Sequence, residues 1–106
     1  MAWMFLLAAG LLEIVWSFTM KLSQGFTRTT PTAITLLVML ASFALLSISM
    51  KTLPLGTAYT VWTGIGAVGA LVVGIVALGE PLTIARVLAA LLIVAGLGIM
   101  KLTTSA

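Results

Sequence analysis

Glu13 is the only ionisable side chain between Met1 and Met20, in a run that is otherwise almost wholly apolar. A carboxylate at mid-membrane depth costs roughly 2.5 kcal/mol or more on insertion scales. A group kept at that cost has a task, and the tasks open to a lone carboxylate are to hold a proton, a cation, or each in turn. Positions three and four apart share a helix face, so Ala9, Gly10, Trp16, Ser17 and Met20 surround it. The small residues leave room beside the carboxylate, and Trp16 offers an indole N–H one turn away. The chain has no cysteine and no histidine, which removes disulfides, thiolate metal sites and the usual proton relay. The one other carboxylate, Glu80, stands next to Pro81 and reads as a solvated loop charge. Enzymatic chemistry is therefore not expected, and neither a metal nor a cofactor is implied.

Other polar and aromatic side chains recur at spacings that could serve Glu13. Thr35, Ser42 and Ser49 repeat every seven residues, a hydroxyl stripe on one helix face. A hydroxyl in a membrane helix can simply bond the carbonyl one turn back, and that reading suits Thr35 and Ser49. Ser42 lies mid-helix at a depth comparable to Glu13 and is the one expected to reach it. Further on, Tyr59, Trp62, Thr63 and Gly66 share a face. Aromatic residues near helix ends often form an interfacial belt. That reading suits Trp3 better than Tyr59 and Trp62, which lie along the glycines. Gly64, Gly66 and Gly69 fall within six residues, with Gly74 beyond them. Such glycines permit close helix packing or a bendable segment, and the two readings are compatible.

The elements that must position these groups cross a membrane. The chain is 62% hydrophobic and 7% charged, whereas soluble domains carry about 25% charged residues. Thr29–Met50 and Thr52–Gly79 contain no charged side chain, and about 20 apolar residues span the hydrocarbon core. The fold class expected is an all-α integral membrane protein, one domain of four short helices over about 3–20, 31–50, 58–78 and 83–101. A cleaved signal peptide is not expected, since the first segment lacks a basic start and carries Glu13 within its apolar run. Thr30 is expected to cap the second helix with Pro31 at its first position. Gly56 or Thr57 is expected to cap the third, and Thr83 the fourth. In the fourth helix only 14 residues separate Arg86 from Lys101, so Arg86 must snorkel to the interface. Its small residues, Ala85, Ala89 and Gly96, suit helix–helix contact, and it is read as a dimer seam.

The net charge of +3 comes from Lys21, Arg28, Lys51, Arg86 and Lys101, all near helix ends. This is a topology signal and does not suggest nucleic acid. Alternating crossings put Lys51 and Lys101 on one side and Lys21, Arg28 and Arg86 on the other. Orientation in a membrane follows an excess of Lys and Arg on one side, and two against three is almost none. Either one orientation is weakly set, or copies insert both ways and pair antiparallel. Four short helices give too little wall to enclose a polar path, so a homodimer holding two copies of Glu13 is expected.

The mid-helix glutamate, Lys21-x-Ser-x-Gly25-Phe-Thr-Arg28 and Pro54-x-Gly56-x-Ala58-Tyr59-x-x-Trp62-x-Gly64 together resemble the small multidrug resistance family over the full chain. The resemblance implies an antiparallel, dual-topology homodimer in the bacterial cytoplasmic membrane that exchanges protons for cations through paired glutamates. Glu13-Ile-Val-Trp16 and Lys51 through Tyr59 look like the guanidinium-exporter subtype, because the polyaromatic-drug subtype usually has a small residue three after the glutamate. Carried over, Glu13 would take a proton or guanidinium, Ser42, Trp16 and Tyr59 would hydrogen-bond around it, and Trp62 would line the pocket. Ala89 departs from the glycine common in relatives and leaves the seam reading intact. The alternative within the family is an exporter of quaternary ammonium or aromatic drug cations, which calls for a roomier cavity than Trp16 allows. A non-transporting membrane subunit would leave the mid-membrane carboxylate unexplained, and a channel is a weaker third reading.

Overall fold

The computed structural model describes residues 1–104, and these form four α-helices: α1 Ala2–Leu22, α2 Thr29–Ser49, α3 Leu55–Leu78 and α4 Ile84–Thr103. Each is long and apolar enough to cross a membrane. Local chemistry accounts for the breaks. After α1, Gln24, Gly25 and Phe26 all take positive φ, a left-handed stretch that favours glycine and strains the other two. Ser23 holds that turn, donating to the Met20 carbonyl at 2.6 Å and accepting from the Phe26 N–H at 3.0 Å. Gly79 ends α3 with φ 70, the left-handed C-terminal position that glycine fills without strain. Thr83 caps α4, accepting from the Arg86 N–H at 3.2 Å.

Two helix starts differ from the sequence expectation. α2 begins at Thr29 with Arg28 as its cap, and no side chain caps it; the Arg28 carbonyl accepts from the Thr32 N–H at 3.1 Å. Pro31 is still tolerated, because first-turn N–H groups have no partner within the helix. α3 begins at Leu55, with Pro54 in extended conformation before it and its carbonyl accepting from the Ala58 N–H at 3.0 Å. Gly56 and Thr57 therefore sit inside the first turn. The Thr57 hydroxyl meets that of Thr104 on α4 at 3.3 Å instead of capping its own helix.

α1, α2 and α3 pack together, and α4 packs mainly on α3, where the Leu97 side chain fills the space that a Cβ at Gly64 would need, while Lys101 Nζ lies 5.0 Å from the centroid of the Trp3 ring of α1. The molecule is a slab of 42 × 34 × 16 Å. Its apolar core, which includes Leu6, Ala9, Leu46, Leu53, Val61 and Trp62, lies toward one end of the bundle, where α1 starts and α2 ends. No described residue of α4 is buried. Close approach of α1 to α3 depends on glycine: a Cβ on Gly10 would lie 2.8 Å from Ile65 Cβ, and one on Gly69 would overlap Ile14. Gly10→Ala is therefore expected to lower the unfolding midpoint in detergent, by an overpacking cost of about 1–3 kcal/mol. Gly56→Ala, with no atom within 4 Å of the added carbon, is expected to hold or raise it.

Candidate functional site

Glu13 projects from the middle of α1 onto α3 at Gly66. A Cβ at that glycine would overlap the Glu13 carboxylate, so the carboxylate rests on bare backbone. Its Oε1 is buried and has no hydrogen-bond partner among the described residues, and the same holds for Trp16 Nε1. A buried acceptor and a buried donor one turn apart are thus both unsatisfied, whereas buried polar atoms are paired in the large majority of cases. Among the described residues the only ion pair lies elsewhere, between Arg86 and Glu80, so Glu13 has no resident cation.

Ser42 is fully buried, but it does not serve Glu13 as expected. Its hydroxyl donates to the Ala9 carbonyl of α1 at 2.7 Å and accepts from the Trp62 indole N–H at 3.0 Å. This chain ties α3 to α2 to α1, and it ends one turn before Glu13. The reason is position along α1: Ser42 faces Ala9, whose small methyl group leaves the backbone carbonyl within reach, one turn before Glu13. Trp62 is buried in the core, while Tyr59 stacks beside it at 5.6 Å between ring centroids and stays exposed. Neither the Trp16 indole nor the Ser42 hydroxyl reaches Glu13 in this arrangement. The remaining stripe hydroxyls bond locally, Thr35 to Pro31 O at 2.7 Å and Ser49 to Leu46 O at 2.6 Å. Thr35 also meets Thr19 of α1 at 2.6 Å.

Two participants are not evident in the sequence reading. Phe43 joins the aromatic side chains, edge-on to Trp16 at 6.3 Å and to Trp62 at 5.7 Å; its place next to Ser42 at mid-helix was the available signal. Gly66, read as a packing or flexing position, is the seat of the carboxylate. Gly64 and Gly69 receive Leu97 and Ile14. On α4, Ala89 and Gly96 are exposed, and nothing in the protomer lies within 4 Å of a Cβ placed on Gly96. No cluster of potential metal ligands occurs among the described residues.

Comparison with known proteins places this geometry in context. Residues 1–93 match the family described as Small Multidrug Resistance protein. The chain belongs to the small multidrug resistance family. Its curated relatives include the Guanidinium exporter of Citrobacter freundii, 57% identical over 104 residues that cover 98% of this chain and 99% of that one. The Guanidinium exporter of Yersinia pseudotuberculosis is 55% identical, over 98% of this chain and 100% of that one. With four membrane-crossing helices and bacterial relatives of this kind, the small multidrug resistance chain is a multi-pass protein of the bacterial cytoplasmic membrane. Within it, Ser42→Ala would strand the buried Trp62 indole N–H, at a cost of about 1–3 kcal/mol. The expected reading is a lowered unfolding midpoint, with the Ser42→Ala/Trp62→Phe double variant losing less than the sum of the single losses.

Proposed function

We propose that this chain exports guanidinium in exchange for protons, working as an antiparallel homodimer in which both species compete for Glu13. The observation that carries the proposal is the pair of buried, unsatisfied atoms, Glu13 Oε1 and Trp16 Nε1. Guanidinium is planar and presents N–H groups in a fork that suits a carboxylate bidentately. A cation seated there would satisfy Oε1, and the Trp16 indole could donate to a carboxylate oxygen left over. Relatives 55–57% identical that are named guanidinium exporters support the same cation.

A proton satisfies the same oxygen by making it neutral, so occupancy by one species excludes the other. Coupling needs one further condition. The dimer must change its open side when Glu13 holds either a proton or the cation, and stay put when it holds neither. An inward proton gradient then drives guanidinium outward. A second copy is required on physical grounds, since a slab 16 Å thick cannot surround a hydrated cation. The exposed small residues of α4, Ala89 and Gly96, would let two copies approach closely there.

Reconstituted vesicles with an imposed pH gradient test this directly. Wild-type protein is expected to move guanidinium against its gradient, and Glu13→Gln to abolish both guanidinium transport and the accompanying proton flux. Gradient-driven transport surviving in that variant would remove Glu13 from the coupling step. Selectivity rests on Trp16, whose bulk and directed N–H favour a small planar cation. Trp16→Gly is expected to shift the rate ratio toward a bulky aromatic cation at the expense of guanidinium; an unchanged ratio would leave the quaternary-ammonium reading standing.

A further inference from the structure

The sequence reading left Glu80 as a solvated loop charge, and the structure gives it a defined seat. Gly79, with φ 70, turns the chain back on α3, and the Glu80 N–H donates to the Gly74 carbonyl at 3.0 Å. The Glu80 side chain then lies across Gly74, where a Cβ would stand 2.5 Å from Oε1 and 2.9 Å from Oε2. This repeats the arrangement at the centre of the membrane. Glu13 rests on Gly66 and Glu80 rests on Gly74, eight residues on, which is about 12 Å of helix rise.

Between Glu80 and the turn of α1 that follows Glu13, the two helices leave a hollow. Glu80 lines a cavity of about 140 Å³ between α1 and α3, together with Ser17, Lys21, Ala70, Val73 and Gly74. Ser17 is one turn from Glu13 on the same face of α1. It also lines a wider cavity, of about 570 Å³, that reaches Lys21 and Gly25 at the end of the helix. From Ser17 outward the two cavities lead to water at the Lys21 end of the protomer. One more contact names the chemistry. Arg86 Nη1 stands 3.6 Å from Glu80 Oε1, so the protein already places a guanidinium group of its own against this carboxylate.

We propose that Glu80 is a second, transient binding station for the guanidinium cation, between Glu13 and the aqueous face on the Lys21 side, with Arg86 as its internal competitor. The proposal rests on the guanidinium reading of Glu13 and adds a step to it. A carboxylate that draws the Arg86 guanidinium to one of its oxygens can take free guanidinium, which has no tether, through both. Both partners are about two-fifths exposed, 40% for Arg86 and 42% for Glu80, and exposed ion pairs of this kind are weak and exchange readily. A weak station suits a cation that must pass through.

The test is the concentration dependence of guanidinium transport in vesicles. Glu80→Gln is expected to raise the KM by about three- to fivefold at unchanged maximal rate. Arg86→Gln, which frees Glu80, is expected to lower the KM. A purely structural clasp between α3 and α4 predicts the reverse relation, because both variants lose the same ion pair and would move together. Lys51→Gln changes charge as Arg86→Gln does, but at the opposite end of the protomer from Glu80, and is expected to leave the KM in place. Equal shifts for Glu80→Gln and Arg86→Gln, or no shift for Glu80→Gln, would overturn the proposal. If Glu80→Gln fails to fold, the sign of the Arg86→Gln change decides. Wild-type protein that moved no guanidinium would overturn the Glu13 reading as well, whereas active wild type with a silent Glu80 would overturn this step alone.

Discussion

One unsatisfied carboxylate at membrane depth governs the arrangement of this protein. Glu13 could not lie between α1 and α3 if α3 carried a side chain at position 66, and its charge would be untenable facing lipid. Glycine at 66 lets the carboxylate rest on backbone, which shields it without supplying a donor. Oε1 is thereby buried without a hydrogen-bond partner among the described residues. That is the condition a binding site for a proton or a small cation requires, because an acceptor with no partner inside the protein is free to take either.

The surrounding packing follows from keeping that position open while holding three helices together. In a membrane there is no hydrophobic drive between apolar helices, and association relies on close approach and interhelical hydrogen bonds. Both are present in this bundle. Gly10, Gly66 and Gly69 bring α1 against α3, and two hydroxyl contacts join α1 to α2, Ser42 to the Ala9 carbonyl and Thr19 to Thr35. Trp62 spends its indole on Ser42 and so braces the end of the bundle nearest the apolar core. The other end keeps cavities along Ser17 and Lys21.

The glycines of α3 illustrate how one residue type answers two demands. α3 is a single uninterrupted helix of 24 residues, and Gly64, Gly66, Gly69 and Gly74 are each occupied by a neighbouring side chain: Leu97, Glu13, Ile14 and Glu80. Close packing is therefore their role in this conformation. A bend at Gly69, which lies between them, would shift the seat of Glu13 at Gly66 relative to that of Glu80 at Gly74.

Sequence alone determined that the chain crosses a membrane four times, that Glu13 is its exceptional residue, and that Trp16, Ser42 and the glycines of the third helix are of interest. These follow from composition and period, because a span of apolar residues and a single charge within it are properties of the string. Helix ends were legible where a local signal was strong, as at Gly79 and Thr83, and misplaced by two or three residues where proline could stand either before or inside the first turn. What only the tertiary structure decided is who touches whom. Ser42 turned to the Ala9 carbonyl because α2 meets α1 one turn away from the carboxylate. Phe43 joined the aromatic chain, Gly66 became the seat of Glu13, and Glu80 folded across Gly74 while staying exposed. Helix periodicity assigns a residue to a face, but the depth and rotation at which two faces meet depend on side-chain packing across helices, which no single segment encodes.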